Sequence, residues 1–305
     1  MRLGVLDVGS NTVHLLIVDA HRGAHPWPAY SEKSVLRLAE RIGPQGKLSD
    51  AAADALIEAV ASAREAAAAH DAHEMVAFAT SAVRDAKNSA DVLARVRAET
   101  GVRLQVLSGN DEARMTFLAV RRWFGWSAGR LLVLDIGGGS LEIASGIDEE
   151  PEIALSLPLG AGRLTRERLS TDPPPAVEVD QLSQHVRHSL EGVDLGGWDR
   201  VAATSKTFRT LARLAGAAPS GAGFRVPRSL TLTGLRQVLG FIRHMSAAAL
   251  GEMDGVSAGR AHQLLAGAVV AEATMSRLGV NAVDVCPWAL REGVILRRLD
   301  ALATG

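Results

Sequence analysis

The chain has 305 residues, 47% of them hydrophobic and 22% charged, which excludes a disordered polymer and gives enough length for two ordinary domains with a sizeable core. A formal net charge of −1 excludes a strong global attraction for nucleic acid or an anionic membrane, so an anionic substrate must be drawn by a local basic patch. One cysteine, Cys286, excludes an internal disulfide framework and fits a reducing cytoplasm; no signal segment opens the sequence and no apolar run approaches membrane-spanning length, so a cytoplasmic protein is expected.

In chain order, Leu3 to Val8 and Val13 to Asp19 read as two strands joined by the turn Gly9-Ser10-Asn11-Thr12. Ser31 to Ile42 reads as a more polar third strand. Ser49 caps a helix whose apolar positions Ala53, Leu56, Ile57 and Val60 recur at helical spacing. Met75 to Ala79 is a strand ending in Thr80-Ser81-Ala82-Val83-Arg84. Asn88 or Ser89 caps a helix to about Thr100 with Gly101 past its end, and Leu104 to Leu107 is the next strand. Asn110 is the expected N-cap of the following helix, which places Glu112 in the first turn, where the peptide dipoles favour an ionised carboxylate. Trp123 and Trp126, in a chain of only 4% aromatic residues, read as interdomain packing.

The second half opens near Gly129 with Leu131 to Ser145, LLVLDIGGGSLEIAS: an aliphatic strand, Asp135, three glycines, Ser140, and a second strand carrying Glu142. Glycine triplets are often simple hairpin turns, but Gly137, Gly138 and Gly139 can also take left-handed conformations and turn their N–H groups toward phosphoryl oxygens, with Ser140 adding a hydroxyl. Asp135 and Glu142 offer the hard oxygens a divalent cation prefers. Val5 to Ile17, VLDVGSNTVHLLI, aligns without a gap on Val133 to Ser145. Asp7 falls on Asp135, Gly9 on Gly137 and Thr12 on Ser140, so Asp7 joins the candidate metal acids. A duplicated turn suggests two halves that hold a phosphate chain and its metal in a cleft between them. Neither turn is followed by the Gly-Lys-Ser/Thr of a Walker loop.

Further on, Ile153 to Leu157 and Val201 to Ala203 are strands, 171–175 is a loop, and Asp180 to Leu190 and Ser205 to Ala215 are helical. Arg260 to Leu278 is a buried helix, Val283 to Cys286 a short strand, and Ala289 to Leu302 a final helix. His185 and His188, near Glu191, read as a solvated helix face rather than a metal set, and Cys286 as a buried small hydrophobe.

With DVGSNT, ATSAVRDAKN, LSGNDEAR, DIGGGSLE, SLPLGAGRLT and LREGVI all present, the chain resembles the exopolyphosphatase and guanosine pentaphosphate phosphatase family, within the sugar kinase, heat-shock-70 and actin superfamily. The resemblance implies an α/β fold of two ribonuclease-H-like domains with a cleft between them. They would span 1–118, completed by the C-terminal helix 289–305, and 119–288. It implies Mg²⁺- or Mn²⁺-dependent release of terminal phosphate from inorganic polyphosphate. Matched to the family's motifs, Glu112 would be the general base, Asp135 and Glu142 the metal acids, and Gly137, Ser140, Ser10 and Asn11 the phosphate-loop residues, with Arg84 facing the phosphate. The family also implies a homodimer, to which Leu264 to Val270 and the final helix could contribute, although that surface could equally be core, and an alarmone as a further ligand. Asp111 and Thr204-Ser205-Lys206-Thr207 depart from the family pattern. The sequence stops after the two core domains, from which action on short chains is expected.

The mechanism expected is attack of one water, launched by Glu112, on a terminal phosphoanhydride, with Arg163, Lys206, Arg209 and Arg213 marking a path for the polyanion. The competing readings are hydrolysis of guanosine pentaphosphate or a nucleoside triphosphate in the same site, and a non-catalytic polyphosphate or nucleotide sensor.

Overall fold

The structure is a computed structural model that describes residues 1–19 and 27–304. The chain packs as two compact units, Met1–Met115 with Leu290–Gly305, and Thr116–Ala289. No helix among the described residues is long and apolar enough to cross a membrane.

In the first unit, β1 (Arg2–Val8) and β2 (Thr12–Asp19) form a hairpin at the centre of a five-stranded sheet. β3 (Trp27–Val35) lies antiparallel outside β2, while β4 (Glu74–Ala79) and β5 (Gln105–Val106) continue parallel to β1, giving the order β3-β2-β1-β4-β5. β1 and β2 read as near-continuous aliphatic runs because both faces are covered. Leu6, Val8, Val13, Leu15 and Ile17 share a cluster with Ala53, Leu56 and Val60 of α1 (Asp50–Ala69) and with Val92 and Val96 of α3 (Ser89–Thr100). Leu3, Val5, Leu16 and Val18 instead meet Val294 and Ile295 of the final helix, α11 (Leu290–Thr304). Ser49 caps α1 through the Ala52 N–H at 3.2 Å, and Gly101 ends α3 at φ 72°.

The expected strand over 31–42 ends at Val35. Arg37 takes φ 51°, Leu38–Arg41 form a 3-10 turn, and the N–H groups of Leu36 and Arg37 both donate to Asn11 O, so the chain folds back over the first turn. A short helix, α2 (Ser81–Arg84), follows β4 directly. The helix α4 (Gly109–Phe124) begins two residues earlier than an Asn110 cap requires. Ser108 is the cap, its Oγ accepting from the Asp111 N–H at 3.1 Å. The side chain of Asn88 also does not cap; it bonds both polar groups of the Leu48 backbone and ties the loop before α1 to the start of α3.

The second unit repeats the scheme. β6 (Leu131–Ile136) and β7 (Leu141–Gly146) form the hairpin, extended by β8 (Ile153–Leu157). β9 (Arg200–Thr204), β11 (Ala282–Val285) and β10 (Ser229–Thr231) complete the order β10-β11-β9-β6-β7-β8. Helices α5 (Ala161–Arg168), α6 (Ala176–Ser189), α7 (Ser205–Leu214), α8 (Leu232–Ile242), α9 (Ala247–Gly251) and α10 (Ala261–Leu278) accompany the sheet. α10 is buried from Gln263 to Met275. The apolar run Leu264–Val270 is therefore core of the second unit, as its reading as a buried helix expects. The ring of Trp123 meets Trp288 and Phe224 inside this unit.

Candidate active site

The two hairpin turns are alike in backbone geometry as well as in sequence. Gly9 N–H donates to Thr12 O at 2.9 Å, and Gly137 N–H donates to Ser140 O at 2.9 Å. Asp7 stands opposite His14 across β1 and β2, as Asp135 stands opposite Glu142 across β6 and β7. The left-handed conformation open to the glycines of the second turn is not taken at Gly137, and Gly9 does not take it either. What each position demands is space: a Cβ would lie 3.3 Å from Thr12 O in one turn and 3.4 Å from Ser140 O in the other.

In the first unit, Ser10 and Asn11 are buried polar residues at the turn. Ser10 Oγ bonds Ser81 Oγ at 2.8 Å, which links the turn to α2. Arg84 ends that helix, and its guanidinium reaches the start of α4. Nη1 donates to Leu107 O at 3.2 Å and to Glu112 Oε1, while Nε donates to Asp85 at 3.0 Å. Burial opposes the charge on Arg84, but Glu112 and Asp85 together raise its pKa above the ordinary guanidinium value. Glu112 is itself only 7% exposed, and an acid buried to that degree needs a cation beside it to remain ionised. The sequence places Glu112 and Arg84 28 positions apart; the structure joins them.

A second polar set in this unit was not singled out from sequence. His14 Nδ1 faces Arg291 Nη1, Nε2 lies 2.8 Å from Ser31 Oγ, and the same Arg291 nitrogen is 3.6 Å from Asp7 Oδ2. Burial first, then Arg291 and Lys33, push the His14 pKa down to about 3, against 6.5 normally. The unfolded chain therefore takes up a proton below about pH 6.5 that the native state refuses until about pH 3, so this group's stability contribution is complete above that window and declines as pH falls through it. Between pH 7.5 and pH 5 the loss is about 1 kcal/mol after allowance for solvent screening. Melting temperatures at the two pH values should fall further for the wild type than for His14→Gln.

In the second unit the glycine turn is fixed from behind by the start of α5. Ala161 N–H donates to Gly137 O and Arg163 N–H to Gly138 O, both at 2.9 Å. Gly160 passes so close that a Cβ there would sit 2.2 Å from Gly139 C and 2.3 Å from Ser140 N. Glu142 and Ser140 are buried, at 6% and 4% exposure. Ser156 Oγ donates to Glu142 Oε1 at 2.8 Å, and Thr204 Oγ1 to Asp135 Oδ2 at 3.4 Å. The run Thr204 to Thr207, which departs from the family pattern, is thus tied to the second turn: Thr207 Oγ1 also donates to Ile136 O at 3.0 Å. Ser205 between them holds φ 80°, a left-handed position a serine seldom occupies.

Of the expected path residues, Arg163 is placed against the glycine turn by its backbone, and Lys206 and Arg209 lie in the first turns of α7, where Arg209 Nε donates to Ser205 O. Arg213 is committed elsewhere, to Asp254 and to Ala217 O. His185 accepts from Arg168 and His188 pairs with Glu191, and among the described residues neither is part of a metal cluster.

A two-unit α/β chain with a duplicated Asp-turn hairpin leading each sheet defines an actin-like fold. The chain belongs to the Ppx/GppA phosphatase family, whose model matches residues 17–302. Exopolyphosphatase 1 of Mycobacterium tuberculosis (strain ATCC 25618 / H37Rv) is 61% identical to it over 310 residues, covering 100% of this chain and 90% of that protein. Exopolyphosphatase 1 of Mycobacterium leprae (strain TN) is 59% identical, at 100% and 91% coverage. Among solved structures, an exopolyphosphatase from Cytophaga hutchinsonii ATCC 33406 superposes with a TM-score of 0.89 at 24% identity, covering 99% of this chain and 98% of that one. At that identity the likeness concerns the fold.

Proposed function

We infer that this chain is an exopolyphosphatase, a phosphoanhydride hydrolase that releases terminal orthophosphate from inorganic polyphosphate. The observation that carries the reading is the repeated Asp-to-Gly hairpin, with the same closing hydrogen bond in both copies, in a chain 61% identical over its whole length to exopolyphosphatase 1.

Glu112 is the general base. It orients one water and takes its proton as the oxygen attacks the terminal phosphorus. Arg84 serves two masters: in the structure its Nη1 is on Glu112 Oε1, and a phosphoryl group that draws the guanidinium to its own oxygens releases the carboxylate for the water. Ser10, Asn11, Gly137, Gly138, Gly139 and Ser140 bind phosphoryl oxygens, and Arg163, Lys206 and Arg209 attract the rest of the anion.

Asp135 and Glu142 fit a hard divalent cation. They are two carboxylates facing each other on adjacent strands, each oriented by a hydroxyl. Among the described residues no cluster of three or more His, Cys, Asp or Glu could enclose a metal unaided, which suits Mg²⁺ or Mn²⁺ completed by substrate oxygens and water. Bound there, the ion would offset charge developing on the transferred phosphoryl group.

The test compares orthophosphate release from polyphosphate of several defined lengths, from guanosine pentaphosphate and from ATP at equal enzyme, with and without Mg²⁺. Metal-dependent kcat/KM highest on polyphosphate is the expected result. A preference for guanosine pentaphosphate would move the protein to the alternative phosphatase activity, and ligand binding without turnover would make it a sensor.

A further inference from the structure

The two hairpins share a plan but carry different charge. In the second unit the plan is Asp135, its cross-strand neighbour Glu142, and Ser156 on the third strand, whose hydroxyl holds Glu142 at 2.8 Å. In the first unit the corresponding pair is Asp7 and His14, and a third-strand serine again holds the second of them: Ser31 Oγ lies 2.8 Å from His14 Nε2. Ser156 lies directly opposite Glu142, whereas Ser31 lies two positions along β3 from Lys33, the residue opposite His14. Two carboxylates make the second copy a place for an added cation. The first copy has one carboxylate, and it already has a cation beside it: Arg291.

The arrangement around Arg291 is specific. A guanidinium only donates, so His14 Nδ1 must accept from Nη1, which puts the imidazole hydrogen on Nε2, where it donates to Ser31 Oγ. Nη1 thus lies between His14 Nδ1 and Asp7 Oδ2, the latter 3.6 Å away, and the side chain is only 23% exposed. Arg291 also sits in the first turn of α11, where peptide dipoles disfavour a cation. A positive charge placed there against the dipole and away from water requires a compensating anion, and Asp7 supplies it.

We propose that Arg291, held by His14, is the resident cation of the first turn and a positioning residue for Asp7, so that Asp7 takes no divalent metal and the metal site is confined to Asp135 and Glu142. This rests on the hydrolase reading above and narrows it: the pseudo-symmetric turns divide the work, one with an exchangeable ion and the other with a built-in guanidinium. It also revises the reading of Asp7 as a metal acid that its alignment with Asp135 suggests. The charge of the first turn then does not depend on metal concentration.

The experiment measures Mn²⁺ binding to the metal-stripped full chain by electron paramagnetic resonance, for wild type, Asp7→Asn and Asp135→Asn. Alongside it, activity of Arg291→Ala is measured with added guanidinium ion or raised Mn²⁺. Wild type and Asp7→Asn should bind Mn²⁺ alike, whereas Asp135→Asn should lose about tenfold or more in affinity. Arg291→Ala should lose kcat/KM and regain part of it with guanidinium but not with Mn²⁺, a rescue that a purely structural role would not give. Loss of Mn²⁺ binding in Asp7→Asn, or rescue by Mn²⁺ alone, would overturn the proposal. Should Arg291→Ala not fold, the Asp7→Asn binding result decides by itself. Mn²⁺ bound normally by Asp135→Asn would instead overturn the placement of the metal, a failure of the underlying reading that guanidinium rescue would leave distinguishable.

Discussion

Replacing Glu112 with glutamine should lower kcat for phosphate release by about 10²- to 10⁴-fold, the range that a positioned general base contributes, while KM for polyphosphate changes little. Glutamine keeps the shape of the side chain and an oxygen that accepts from Arg84 Nη1, so the contact between α2 and α4 survives. What is lost is the ability to take a proton. The kinetic pattern follows from that difference: an interaction needed only in the transition state lowers kcat and kcat/KM together. Single-turnover release, measured beside equilibrium binding of polyphosphate to the same variant, separates the two effects. Near-normal release would remove Glu112 from the role of base.

Alanine at Gly160 should be nearly as damaging, through shape alone. Its Cβ would overlap Gly139 N at 2.4 Å, Gly139 C at 2.2 Å and Ser140 N at 2.3 Å. All three are backbone atoms of the glycine turn, so no rotamer can relieve the clash; either the turn or the start of α5 must move. Overpacking of this kind costs about 1–3 kcal/mol in stability. A displacement near 1 Å of groups that bind a reacting phosphoryl costs about 10²-fold in rate. Gly240, on α8 with nothing near its Cβ position, is the control. Melting temperature and kcat/KM of Gly160→Ala and Gly240→Ala, measured together, check the expectation; wild-type kcat/KM in Gly160→Ala would mean that the turn's exact place is not needed.

The parts of the fold that were readable in the sequence are those written in local chemistry. The aliphatic runs of β1, β2 and β6 announce strands covered on both faces, Ser49 and Gly101 bound helices by their own capping geometry, and the duplication of Asp7 to Thr12 in Asp135 to Ser140 is a matter of alignment alone. Helix α10 was legible because Leu264 to Val270 leaves no polar face. Glu112 was legible only through a motif, since nothing local pairs it with Arg84.

What escaped depends on contacts between distant segments. Gly160 looks like an ordinary loop glycine until its backbone is seen against Gly139. Arg291 and His14 are 277 positions apart and meet only because α11 returns to the first unit. The strand expected through Ile42 was broken by Asn11, whose carbonyl collects the N–H groups of Leu36 and Arg37. The choice between Ser108 and Asn110 as the cap of α4 was a competition between two good capping residues two positions apart; the serine hydroxyl holds the Asp111 N–H and the asparagine is taken into the first turn.

The most direct test of the account is a turnover of polyphosphate of defined length in water enriched in oxygen-18, with the products separated and weighed. Attack by one water at the terminal phosphorus predicts a single heavy oxygen in each released orthophosphate and none in the shortened chain. Heavy oxygen at the new end of the shortened chain would place the attack on the neighbouring phosphorus and contradict it.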